Sequence, residues 1–134
     1  MSLYLDLDAI RTHFVDSWDF DTIQTVMANG EALDLKEDEP AVRFSINPGT
    51  RRLIGGDRLY QQLGRVWLQI FVPKQQGAMM GFDLADKFTG LYRHWQSEDG
   101  CVRIEGEHVE QIPNGENGYF QVNVSVEWRS VRRL

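Results

Sequence analysis

The sequence predicts an α+β domain: a mixed or mainly antiparallel sheet with two helices, in the order α-β-β-β-α-β-β. Three observations predict it. Two stretches repeat apolar residues every three or four positions, as one face of a helix requires. Several others alternate apolar and polar residues, the period of a half-buried strand. Pro, Gly and Asn cluster between these stretches and mark turns.

The first helix is expected over residues 3–18, where Leu3, Leu7, Ile10, Phe14 and Trp18 share one face. Ser2 and Asp6 are both candidate N-caps. A short strand follows over 22–27 and ends at Asn29-Gly30. Residues 31–40 hold Glu31, Asp34, Glu37, Asp38 and Glu39, and read as a solvated acidic loop or as an electrostatic surface that selects a partner. Residues 41–46 alternate, with Val42, Phe44 and Ile46 on one side, and Asn47-Pro48-Gly49 is expected to end that strand. The segment 50–58, with Arg51, Arg52 and Arg58 around Gly55-Gly56, then reads as a loop. It lacks the spacing of a phosphate-binding loop.

Residues 59–72 form the longest strand candidate. Val66, Leu68, Ile70 and Val72 take one face; Arg65, Trp67, Gln69 and Phe71 take the other. Two large aromatics on the second face suggest burial on both sides, beneath the first helix or against another subunit. Pro73 stops this strand. A helix is expected over 78–95 from the stripe Met80, Gly81, Leu84, Ala85, Phe88, Leu91, Tyr92 and Trp95, with His94 in its last turn. A strand over 101–109, a turn over 113–118 and a strand over 119–128 complete the chain as a hairpin. In the last strand Phe120, Val122, Val124, Val126 and Trp128 should face in, and Gln121, Asn123, Ser125 and Glu127 out. The basic residues Arg129, Arg132 and Arg133 read as a tail. The third strand, long helix and fourth strand form a crossover long enough to join parallel strands.

With 134 residues, 42% of them hydrophobic and 25% charged, the chain fits one domain, 1–134, with a real core. Its net charge of −6 disfavours a dedicated nucleic-acid binder, which needs clustered cations to displace phosphate counterions. The single cysteine, Cys101, excludes an internal disulfide framework and a Cys-rich zinc site. The start lacks the basic region and apolar run of a signal peptide, and no stretch is long enough to span a membrane, so a cytoplasmic domain is expected. His13, His94 and His108 have no metal-motif spacing; Cys101 has only His94 as a conceivable partner; Asp83 and Asp86 lie on a solvent face. No enzyme, no cofactor and no metal are expected.

Certain residues carry a resemblance. The strand Gly64-Arg65-Val66-Trp67-Leu68-Gln69-Ile70-Phe71-Val72-Pro73 runs into the glycine-bearing turn Lys74-Gln75-Gln76-Gly77, then into the helix Met80-Gly81-Phe82-Asp83-Leu84-Ala85-Asp86-Lys87-Phe88. With the final strand Gly118-Tyr119-Phe120-Gln121-Val122-Asn123-Val124, this resembles the tail terminator family of long-tailed bacteriophages, proteins similar to the lambda-type minor tail protein U. The resemblance spans nearly the whole chain, although the acidic segment before Pro40 and the 48–58 segment are less typical.

The resemblance implies a ring, usually hexameric, that caps the tail tube, stops its polymerisation and presents a docking surface to the head connector. It implies a virion-tail protein assembled in the host cytoplasm. Its partners would be other copies of itself, the tail tube protein and the head–tail connector protein. DNA would pass through the channel without specific binding, and no membrane would be involved. The candidate interface residues are Glu37, Asp38, Glu39, Arg51, Arg52, Arg58, Trp67 and Phe71. Another head–tail joining or tail-tube protein, or an unrelated binding module, stays open as an alternative.

Overall fold

The computed structural model describes residues 2–27, 39–112 and 118–134. The Asn29-Gly30 turn, most of the acidic run with Glu37 and Asp38, and the turn over 113–117 lie outside the described residues. The elements are α1 (Ser2–Ser17), β1 (Gln24–Met27), β2 (Ala41–Gly55), β3 (Leu59–Pro73), a 3-10 turn (Lys74–Gln76), α2 (Ala78–Tyr92), β4 (Val102–Ile112) and β5 (Tyr119–Arg133). The expected class and order are those observed.

The five strands form one mixed sheet in the order β1-β2-β3-β5-β4. Only the β1–β2 pair is parallel; β2–β3, β3–β5 and β4–β5 are antiparallel. β3 and β4 therefore run the same way with β5 between them, so α2 sits in a crossover between parallel strands that are not neighbours.

Both helices cover one face. Val42 and Phe44 of β2, Val66, Leu68, Ile70 and Val72 of β3, and Val122, Val124, Val126 and Trp128 of β5 are buried there. Ile10 and Phe14 of α1, Trp18 just after it, and Leu84, Ala85, Phe88 and Tyr92 of α2 close the same core. Each large aliphatic buried this way contributes about 1.5–3 kcal/mol. Phe14 stacks on Phe44 with ring centres 4.1 Å apart, and the Tyr92 hydroxyl donates to the Ile10 carbonyl at 2.8 Å, tying the two helices together. The other face carries no helix among the described residues.

Four expectations need correction. Pro48 does not end β2. It lies past the four residues that β1 pairs, where one edge of β2 has no neighbouring strand among the described residues, and the β2–β3 register shifts between Pro48 and Arg51. An edge with a register shift tolerates a missing N–H. The segment 50–58 is accordingly the outer half of a hairpin, not a loop. Secondly, α2 stops at Tyr92, and His94 adopts φ 66 outside it, so His94 is not in a helical last turn. Thirdly, Arg129, Arg132 and Arg133 belong to β5, not to a tail. Fourthly, Asp6 is not a cap: it lies inside α1, almost wholly buried, against Arg132.

Candidate assembly surfaces

The three candidate arginines come together on the hairpin of β2 and β3. The turn at its tip has Asp57 at φ 61 and Arg58 at φ 62. They are the last two of the three residues that join the paired Gly55 and Leu59, and a tight hairpin connection needs such left-handed positions. The positive angles thus fall on Asp57 and Arg58, not on Gly55 and Gly56. The Leu134 N–H donates to the Arg58 carbonyl at 2.9 Å, and Arg133 Nε lies 3.5 Å from an Asp57 carboxylate oxygen, so β5 braces the tip.

Gln62 sets the hairpin's irregular register. Its side chain, 6% exposed, donates to the Gly49 and Leu63 carbonyls, each at 2.8 Å. Its Oε1 accepts from Arg51 Nε at 3.1 Å. One side chain thereby bridges two backbone carbonyls beside the register shift and orients Arg51. Arg51 pairs with Gln62 and Arg52 with Gln61, so the two cations point to opposite faces of the sheet. Arg51, Arg52 and Arg58 are exposed, as are Leu53 and Ile54 beside them.

Glu39 is exposed just before the start of β2, whereas the arginines sit at the far end of the same strand. Within one chain Glu39 and the basic candidates are therefore separated by the length of β2. Trp67 and Phe71 lie on the face without a helix, so α1 does not cover them. Phe71 is nonetheless 7% exposed and Trp67 half-buried. Trp67 stands between Ser45 and Ser125 in the cross-strand register, two small neighbours that leave room for its ring. Beside it Arg65 lies 2.7 Å from Glu127 and donates to the Ser125 hydroxyl at 3.3 Å. Ser125, expected to face out, is fully buried beneath these side chains.

Sequence reasoning missed two features. The first is the outer edge of β4, where Glu105, Glu107 and Glu110 are exposed. Arg129 and Arg93 hold Glu105 and Glu107 at 2.7 and 2.9 Å. Three glutamates in six residues of a strand were the available signal. The second is an ion cluster: Arg132 lies 2.7 Å from Asp6 and 2.9 Å from Asp99. The Ser97 hydroxyl and the Cys101 N–H donate to Asp99, and with Arg132 they hold its carboxyl down at about 2. No sequence spacing announces this cluster.

Of the groups weighed for chemistry, His94, His108, Asp83 and Asp86 are exposed, whereas His13 is engaged in packing. His13 stacks on Trp95 and its Nε2 lies 2.6 Å from the Leu91 carbonyl. Burial pushes the Cys101 thiol up, away from the thiolate a nucleophile needs. No described helix is long and apolar enough to cross a membrane.

The fold is thus a two-layer α+β arrangement with one sheet face covered by helices and the other without a helix among the described residues. No family model and no curated protein matches the chain. Among solved structures 18 chains match. One of them is 18% identical, with the match covering 94% of this chain and 95% of that one at a TM-score of 0.63. At that identity the likeness shows the fold alone.

Proposed function

We propose that this chain is the ring-forming subunit of a phage tail terminator, which caps the tail tube and receives the head connector. The observation that carries the reading is the outer half of the β2–β3 hairpin. It extends past β1, exposes Leu53 and Ile54, and presents Arg51, Arg52 and Arg58. An exposed apolar and charged arm on a rigid sheet is a partner surface. The motif resemblance from Gly64 to Phe88 supports the same reading, because those residues form β3, the 3-10 turn and α2 as one continuous unit.

In this reading the protein acts by shape and association, with no catalytic step and no cofactor. The net charge of −6 suits a channel through which DNA slides without sticking. The test is tail length. Phage assembly without the protein should give overgrown tubes and unjoined heads, and supplying it should restore tails of set length. Normal, head-joined tails in its absence would contradict the reading.

A further inference from the structure

Among the described residues the sheet has two edge stretches without a neighbouring strand, and they carry opposite charge. On one side β1 pairs with β2 only from Ala41 to Phe44, so the rest of β2 has no strand beside it among the described residues. On the other side β4 is the last strand. Residues 50–54 of β2 and 107–110 of β4 are exposed on both faces. The first stretch carries Arg51 and Arg52, the second Glu107 and Glu110.

We propose that copies of this chain join by strand addition: the outer half of β2 in one copy pairs, antiparallel, with the outer half of β4 in the next. This rests on the ring reading above and names the contact that closes the ring.

Four features of the fold carry it. First, the charges match face by face. Arg51 lies opposite Gln62 and Glu107 opposite Val126, both on the helix-covered side, while Arg52 opposite Gln61 and Glu110 opposite Asn123 share the bare side. A neighbouring sheet added with its helices on the same side therefore meets opposite charge on each face. Gln62 pre-orients Arg51, and Arg93 pre-orients Glu107.

Second, the direction is right. β2, β3, β5 and β4 alternate in sense, so β2 and β4 run oppositely. Rotation about an axis tilted from the strands, as in a closed barrel, keeps that sense and gives an antiparallel pair, the slightly more stable kind per residue.

Third, the open stretches lie at opposite ends of the sheet: Arg52 is level with Gln61 and Val131, and Val109 with Leu68 and Val124. Successive copies then step along the strand direction, the stagger that a closed hydrogen-bonded barrel requires.

Fourth, the alternative of a two-fold dimer would place β2 on β2 or β4 on β4, setting like charges opposite each other. Two different edges make a head-to-tail contact, the kind that forms a ring when the rotation between copies closes.

The experiment uses three variants of the full chain: Arg51→Glu with Arg52→Glu; Glu107→Arg with Glu110→Arg; and all four changes in one chain. Sedimentation reads association, circular dichroism reads folding, and amide exchange of the wild-type protein reads the edges. Each double variant should associate about 100-fold more weakly, and the fourfold variant should regain assembly. Amides in 50–54 and 107–110 should slow on assembly of the wild type. Assembled wild type in which both stretches exchange as in the monomer would overturn the edge pairing and leave the ring reading standing, whether or not the variants fold. A fourfold variant as weak as the doubles, though folded, would overturn it as well. A wild type that never self-associates would overturn both.

Discussion

Asp6 of α1 and Arg132 of β5 are 126 residues apart in the sequence and 2.7 Å apart in the fold. Asp6 is 1% exposed, and Asp99 completes the cluster from the loop before β4. Removing Asp6 strips the mostly buried Arg132 guanidinium of its buried partner and leaves it only the half-exposed Asp99. Asp6→Ala should therefore cost about 3 kcal/mol. Asp99→Ala should cost about 1 kcal/mol, because its half-exposed carboxylate is screened by water. Denaturant unfolding of the two variants checks the order; equal losses would contradict it.

The same cluster makes stability depend on acid. The Asp99 carboxyl titrates at about 2 in the fold, against an ordinary value of 3.8. A depressed carboxyl stabilises the fold fully above its unfolded value and loses that contribution as pH falls through the folded one. The window is therefore pH 4 to 2. Asp99→Asn should show a shallower fall in melting temperature across that window than the wild type. Parallel curves would show that Asp99 carries no such linkage.

Gly64 pairs with Trp128 across β3 and β5. A Cβ there would stand 2.4 Å from the indole ring and 2.9 Å from the Asn47 carbonyl oxygen. Neither a core ring nor backbone gives way cheaply, so Gly64→Ala should destabilise by about 1–3 kcal/mol. Gly106→Ala should be nearly neutral, since its nearest atom would be the Glu127 carboxylate at 3.9 Å. Thermal melts of the pair decide it.

Arg58 holds a left-handed backbone at φ 62. For a residue with a Cβ that costs about 1–2 kcal/mol. Arg58→Gly should thus raise the stability of the isolated chain by about 1 kcal/mol. If Arg58 serves the assembly surface, the same variant should also associate more weakly. A glycine variant less stable than the wild type would mean that the Arg58 side chain supports the hairpin itself.

The fold was most legible where one local rule acted alone. The stripe through Leu84, Phe88 and Tyr92 and the alternation through Val122, Val124 and Val126 each needed only their own period. Legibility failed where a distant partner decided. Pro48 reads as a stop, yet survives because, among the described residues, β1 pairs only Ala41 to Phe44 and leaves the edge of β2 at Pro48 open. Ser125 reads as exposed, yet Trp67 and His108 flank it in the register and Arg65 reaches over it. Of the candidate surface, the arginines were visible as a cluster. Their placement on a strand, and the matching glutamates at the opposite edge, depend on a strand order that no local pattern encodes.

The central claim is that this chain assembles into a closed ring. Its most direct test is the mass of the purified protein across concentration and salt, measured with negative-stain images of the same samples. The account predicts a discrete multiple of the 15.5 kDa chain, about six, seen as rings with a central hole and weakened by salt. A monomer at every concentration up to millimolar, or open filaments without rings, would contradict it.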